Sequence, residues 1–533
     1  MAQRLTTFSK FLITLLIVGA IGFGVSYALK NTDAGQKLQQ QAEEQVNSGN
    51  ADTGNTNSAP TANSNSSSTN SDDVLTVQVF TWGGIAPGLY FNAGAEPNVN
   101  SRFKKEYGLD VKFELIDDFD ASRQAWIGDK VDVLSNEVSA MNTEMERLAP
   151  HNPRVFMQYD WSRGGDAVVV RRGIKSVNDL RGKKVAFAGF TPSVTFLVTM
   201  LESANMTMND IEAVEVPLPT DAANAFKGGK VDAAIVWSPD DLACEREVPG
   251  TTILQSTREA SNIIADVFMV KDAYAKKNKD KLEKFYAGWM KAVAEMATEQ
   301  SNYKTAGKYL SELTGLPMVD AIGMMDNVRF VTHGDNKDFL GQNTSFKGMT
   351  GQRLYEKMGN EFAKLKQAPA KRPTWRQINY PGAVNAAAKL TGNGFQSEGQ
   401  KAFKPAPKAL ETAQEISSKP ISISFNSGKS ALTENAKTII DLQFSEVAKS
   451  YSNTRIRVEG NTDSDGNDQM NKKLSLKRAQ SVADYLEKQY GMNGNRFIIL
   501  GNGEDRPVPG CEKNQNADCK AKNRRTEFQL VAG

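Results

Sequence analysis

The stretch Asn461–Gln480, NTDSDGNDQMNKKLSLKRAQ, crowds acids and amides into its first half and basic residues into its second. A calcium loop is the first chemistry to test. Counting from Asp463, position 6 is Asp468 and position 12 is Leu474, where an EF-hand needs Gly and a bidentate Glu. The metal reading fails. What remains is a pair of opposite charges: Asp463 in a loop turned by Gly466, and Arg478 inside a following helix with Leu474, Leu476, Val482, Tyr485 and Leu486 as its apolar positions. Such a pair can hold a zwitterion, with Arg478 taking a carboxylate through two N–H groups and Asp463 taking an ammonium. A plain Asp463–Arg478 ion pair pinning loop to helix fits the same spacing.

A second set of residues falls where short β-like runs end. VQVFTWGG closes on Trp82, FAGFTPSVTF places Thr191 and Ser193 at a helix start, and AAIVWSPDD places Trp237 and Ser238 after a strand. Ligands in open α/β sheets bind beyond the carboxyl ends of strands, where helix N-termini offer free N–H groups. Hydroxyls and amides there suit an anionic or polar group, and the tryptophans suit an organic body or a cation. Taken singly, Thr191 also fits a plain helix cap and Trp82 a core position.

Other chemistries are excluded by composition. The 64 Lys and Arg against 62 Asp and Glu leave no basic surplus for a nucleic-acid backbone. His151 and His333 each stand without a second His or a Cys at ligand spacing, which argues against a zinc site and against a Ser/His/Asp triad. Cys244, in LACEREV, has no neighbouring His or cation to activate it. Cys511 and Cys519 close the short polar loop CEKNQNADC, a spacing compatible with a disulfide in an oxidising compartment. No nucleophile–base pair or cofactor lysine is evident, so neither an enzyme nor a cofactor is expected.

The elements that must position these residues form several units, since 533 residues are too many for one core. Phe11–Leu29 is an uncharged apolar run that as a helix spans about 28 Å, near the thickness of a bilayer core. Residues 1–30 are read as an uncleaved transmembrane anchor, with a cleaved signal peptide as the rival. No Cys follows to carry a lipid, and Arg4 and Lys10 keep the N-terminus cytoplasmic. Residues 31–73, rich in Asn, Ser and Thr, form a disordered tether. From Val74 strands alternate with helices (LTVQVFTW, VKFELID, GDKVDVLSN, DAVVVR, KKVAFAGF, IEAVEVPL, KVDAAIVW, ADVFMVK), which predicts α/β domains with largely parallel sheets. The chain turns helical after Asp280, and residues 381–419 read as a linker. A last unit follows from 420 to 533, with strands ISISFN, TRIRVEG, RFIILGNG and RRTEFQLV around helices TENAKTIIDLQFSEVAKSY and NKKLSLKRAQSVADYLEKQY, an α+β sandwich.

Two resemblances sharpen this. SVNDLRGKKVAFAGF, KVDAAIVWSPD, IIADVFMVK and GDKVDVLSN are similar to the two-lobed, type II-like periplasmic binding proteins of the nitrate, sulfonate, taurine and thiamine-precursor type. For residues 74–380 the resemblance implies two α/β lobes, crossings near Asp166–Arg171 and Ile264–Val270, and a small-molecule ligand between the lobes. The cleft residues implied by position are Trp82, Ser135, Thr191, Ser193, Trp237 and Asp266; Asp266 either accepts from a cationic ligand group or holds the hinge. NTDSDGNDQMNKKLSLKRAQSVADYL, GNGEDRPV and KNRRTEF resemble the OmpA-like peptidoglycan-binding domain. That resemblance implies that Asp463 and Arg478, helped by Asn471, bind the diaminopimelate of the peptidoglycan stem peptide. It also implies that Cys511–Cys519 is the disulfide loop of some porin tails.

The function expected is therefore a binding protein, anchored in the inner membrane, holding peptidoglycan, and presenting a solute cleft in the periplasm, beside an ABC permease or a sensor. A stator subunit of an ion-driven motor would carry an acid in its membrane helix, and Phe11–Leu29 has none. The alternative kept open is a structural cell-wall anchor, bacterial or phage-encoded, whose binding-protein domain serves protein contacts.

Overall fold

The computed structural model describes residues 73–399, 402–423, 425–426 and 428–532. The expected membrane anchor and residues 31–72 of the expected tether lie outside the described residues. Among the described residues no helix is long and apolar enough to cross a membrane.

Residues 73–399 build two lobes on sheets of the same order. In the first, β1 (Leu75–Val79) pairs in parallel with β2 (Val111–Leu115) and reaches, through a bridge from Val77 to Val133, the start of β3 (Leu134–Glu137). Beyond β3 lie β10 (Ala265–Lys271), β4 (Pro153–Ser162) and β11 (Val328–Phe330), each antiparallel to its neighbour. The second sheet runs β7 (Glu212–Val216), β6 (Lys184–Ala188), β8 (Ala233–Trp237), β5 (Asp166–Val170), β9 (Thr252–Ser256), with β5 antiparallel to both neighbours. In each lobe, then, one antiparallel strand has been delivered from the other lobe: β5 after the crossing at 163–165, and β10 after the crossing at 257–264. The segments expected as crossings, Asp166–Arg171 and Ile264–Val270, are largely the strands that receive them. Their apolar runs drew the eye, whereas the crossings themselves are short and polar.

The inner strands are buried on both faces, so β5 and β8 read as continuous apolar runs whether their neighbours run parallel or antiparallel. β4 escaped the sequence reading because Gln158 and Asp160 interrupt such a run, although both are fully buried. Tertiary partners make that possible: Asn336 accepts from the Gln158 amide at 2.8 Å and donates to its carbonyl at 3.0 Å. Helix α1 (Pro192–Ser203) follows β6, and α2 (Lys279–Thr298) lays Phe285 and Trp289 against Phe268, with ring centroids 6.0 and 5.2 Å away. The segment expected as a linker, 381–419, begins with a helix, Gly382–Ala386, whose Ala383 and Val384 are buried. It continues along the first lobe, where Gly334 N–H donates to the Phe395 carbonyl at 2.7 Å and Arg163 pairs with Glu398 at 2.6 Å.

The C-terminal sheet is ordered β12 (Ser417–Ile421), β15 (Thr526–Val531), β13 (Arg455–Asn461), β14 (Phe497–Gly503). Its first strand begins before the expected ISISFN and carries Pro420, tolerated because β12 is an edge. The helix expected over TENAKTIIDLQFSEVAKSY is two, Glu434–Gln443 and Ser445–Ser450, broken at Phe444 (φ −127°), whose ring stacks on Phe528 at 4.0 Å. Helix α4 (Asp468–Tyr490) packs closely on β13 and β14. A Cβ on Gly460 would fall 2.2 Å from the Ser475 carbonyl, and one on Gly501 2.5 Å from the Leu476 nitrogen. Glycine at both positions permits that approach.

This domain is seated on the second lobe. Lys419 donates to the Glu202 carbonyl (2.7 Å), Ser418 N–H to Asn178 (3.0 Å), and buried Tyr451 to buried Gln255 (3.3 Å). Asn262, in the 257–264 crossing, donates its amide to the Ser450 carbonyl at 3.1 Å. Helix α3 (Gly351–Lys364) adds an ion pair, Arg353–Glu446, at 2.8 Å.

Candidate functional site

The expected cleft residues are engaged with partners inside the protein, some with one another and some with residues that were not expected. Trp82 Nε1 donates to Asp160 Oδ2 at 2.8 Å, and Trp237 Nε1 donates to Ser193 Oγ at 3.1 Å. Thr191 caps α1, its Oγ1 accepting from Ser193 N–H at 3.2 Å. Ser135 is buried under Tyr159, hydroxyl to hydroxyl at 2.7 Å. Asp266 lies in register opposite Asp160 on β4 and Glu137 on β3. So Trp82 and Asp266 meet at Asp160, Trp237 and Ser193 meet each other, and Ser135 and Thr191 serve local structure. The lobes also touch directly, through Ser139 and Thr195 hydroxyls (2.6 Å) and through Asn327 Nδ2 donating to Ser238 Oγ (3.2 Å).

Three further carboxyls line this junction: Glu137, Asp160 and Asp166. Burial pushes Asp160 and Asp166 up to about 7. It also raises Glu137, and it raises Asp266 well above the carboxylate range, the Asp160 charge adding to the effect. Glu137 is nonetheless fully hydrogen-bonded, accepting from Ser139 N–H and Oγ–H, Ala140 N–H and Ala265 N–H. Asp166 accepts from Ser162 at 2.7 Å, and its carbonyl takes Thr257 N–H at 2.9 Å, which ties the two crossings together. Asp160 Oδ1 alone has no hydrogen-bond partner among the described residues. Sequence reading missed Asp160 because nothing in FMQYDWS separates a junction acid from a surface one.

The second site is open. Close packing of α4 on β13 brings Arg478 over a cavity of about 450 Å³ lined by Ser422, Ile423, Phe425, Asp518, Lys522 and Arg524. Arg478 is buried, with its guanidinium 4.9 Å from the Phe425 ring and its Nε donating to the Lys429 carbonyl at 3.2 Å. Its two terminal nitrogens have no hydrogen-bond partner among the described residues. Burial, opposed by Asp463 and reinforced by Arg524, draws its pKa down. Asp463, on the loop after β13, is covered rather than open: its Oδ2 accepts from Arg524 Nη1. Gly466 turns this loop at φ +109°, and Asn471 fastens it, donating to the Asp465 carbonyl (3.2 Å) and to Glu504 (2.9 Å). Asn471 thus shapes the site from behind. Arg524 was not singled out from the sequence, though KNRRTEF carries it.

Cys511 and Cys519 form a disulfide beside this site, in the loop that leads to Asp518 and Lys522. Cys244 is buried, and burial pushes its thiol up to about 11, the opposite of an activated nucleophile. Among the described residues no three His, Cys, Asp or Glu side chains converge as a metal site.

Residues 424–524 match the OmpA family and residues 155–302 the NMT1/THI5 like family. Outer membrane porin F of Pseudomonas aeruginosa is 39% identical over 112 residues, 21% of this chain and 31% of that protein. The chain thus spans about a third of its length. Outer membrane protein A of Citrobacter freundii is 31% identical over 179 residues, 30% of this chain and 75% of that one. The periplasmic aliphatic sulphonate binding protein of Escherichia coli superposes with a TM-score of 0.45 at 18% identity, over 63% of this chain and 97% of that chain. The chain belongs to the OmpA family through its C-terminal domain, and carries ahead of it an NMT1/THI5-like substrate-binding domain of two lobes.

Proposed function

We propose that this protein is a binding protein of the cell envelope that grips peptidoglycan with its C-terminal domain and captures a small solute between its lobes. The observation that carries the first half is a cavity facing a guanidinium, Arg478, with two unpartnered nitrogens, beside an acid, Asp463. The stem peptide's diaminopimelate supplies the complementary carboxylate and ammonium. Membrane tethering through residues 1–30, with the bulk of the chain in the periplasm, and service to an ABC permease or a sensor belong to the same reading. Retention on purified sacculi tests it: Asp463→Ala and Arg478→Ala each abolish pull-down, and retention by both variants would sink the assignment.

For the solute, the junction carries Asp160, Asp166 and Asp266 with two tryptophans, an environment that suits a ligand bearing an amine or another donor better than an oxyanion. A thermal-shift screen of the full chain against amines, pyrimidines, sulfonates, nitrate and phosphonates decides, with a gain of several degrees expected from the amine or pyrimidine arm. The second reading, a wall anchor whose lobes serve protein contacts, is favoured by the direct bonds between lobes (Ser139 to Thr195, Asn327 to Ser238). No shift with any solute would select it.

A further inference from the structure

The wall-binding cavity has more positive charge than a simple zwitterion needs. Arg478, Arg524 and Lys522 line it, with Asp518 as the acid among the lining residues and Asp463 behind Arg524. Lys522 and Asp518 neutralise each other at 2.7 Å. Two neighbouring cations are committed elsewhere: Lys520 to Asp465 at 2.8 Å and Arg525 to Glu527 at 2.6 Å. Of the charges lining the cavity that leaves two guanidiniums, with Asp463 as the carboxylate behind Arg524. Arg478 has free terminal nitrogens, and Arg524 makes one hydrogen bond, through Nη1 to Asp463.

Arg524 occupies Asp463 Oδ2, so an ammonium that takes this oxygen must displace it. If a ligand brought only one ammonium and one carboxylate, displacing Arg524 would leave that guanidinium without an anion, close to Arg478 of like charge. A ligand with a second carboxylate leaves every charge paired: ammonium on Asp463, one carboxylate on Arg478, the other on Arg524. A planar guanidinium is suited to that exchange, because it can turn from its single contact with Asp463 to a two-point contact with a ligand carboxylate.

We propose that Arg524 is an exchangeable counter-ion, released from Asp463 when ligand binds and transferred to a second carboxylate of the ligand, so that the site selects a group with one ammonium and two carboxylates over its amidated form. This rests on the wall-binding reading above and names the chemistry that Arg524 adds to it.

The test uses the full chain and two synthetic stem peptides ending in diaminopimelate, identical except that the second carboxylate is free in one and a carboxamide in the other. Calorimetric titration of the wild type is expected to show at least ten-fold tighter binding of the free acid. Arg524→Gln loses that preference while still binding the amide, and Arg524→Lys, which keeps the charge, retains part of it. Equal affinity of the wild type for both peptides would overturn the role of Arg524 and leave the wall-binding reading standing. So would an Arg524→Gln variant that weakens both peptides by the same factor, or one that keeps the full preference. Binding of neither peptide by the wild type would overturn the wall-binding reading itself, and this inference with it.

Discussion

The lobe junction and the Arg478 cavity use the same kinds of residue to opposite ends. At the junction most of the polar groups named above have found partners within the protein, Asp160 Oδ1 excepted: Trp82 with Asp160, Trp237 with Ser193, Ser139 with Thr195. In the cavity, Arg478 is just as buried yet keeps two nitrogens unpartnered beside another guanidinium. A buried polar group satisfied within the protein stabilises the fold, whereas one left facing a cavity stores an unmet demand that only a ligand answers. Burial and charge therefore do not by themselves mark a binding site; hydrogen-bonding capacity left unmet and facing a cavity does.

Four substitutions probe that contrast. The largest effect is expected from Glu137→Ala, which strips the acceptor from three backbone amides and a hydroxyl. The cost is about 3–4 kcal/mol, lowering the thermal midpoint of the substrate-binding domain by roughly 10 °C. A fall of under 2 °C would erase the distinction drawn here.

Next comes pH. Asp160 holds its proton up to about 7 in the fold, above its unfolded value near 4. The folded state then binds more protons across that window, so this group's contribution is complete below pH of about 4 and is lost as pH rises through about 7. The wild type should melt higher at pH 5.5 than at pH 8, and Asp160→Asn should reduce that slope. An unchanged slope would remove Asp160 from the account.

Trp237→Phe removes one junction hydrogen bond, worth about 1 kcal/mol and about 3 °C, and frees Ser193 Oγ. Arg478→Ala comes last on stability, with a midpoint within about 1 kcal/mol of wild type, because it removes a partly desolvated charge with one hydrogen bond. Its expected loss of wall binding with an almost unchanged midpoint is the sharpest form of the contrast. If Arg478→Ala melted far below wild type, Arg478 would be a structural residue like Glu137.

The order of the two functional units was legible because their strands and motifs are local. Continuous apolar runs such as DAVVV and AAIVW announced buried inner strands, though DAVVV proved antiparallel to both neighbours, and the loop acid, helix arginine and N-R-R of the C-terminal domain fell in register. Asn471 was legible as a member of that motif but not in its role, since hydrogen bonds to Asp465 and Glu504 depend on how the loop folds back. β4 was not legible, because the partner that makes Gln158 tolerable, Asn336, lies far along the chain.

By itself, then, the sequence determined the fold class, the placing of Asp463 on a loop and Arg478 on a helix, and the exclusion of metal-loop spacing, all of which follow from short-range periodicity and counting. Tertiary structure alone decided that Asp463 is covered by Arg524, that Trp82 bonds to Asp160 and Trp237 to Ser193, and that the C-terminal domain is seated on the second lobe through Tyr451 and Lys419. Each of these is a contact between residues tens to hundreds of positions apart. Whether a polar side chain is free or satisfied depends on the groups that folding brings beside it, and local sequence carries no record of them.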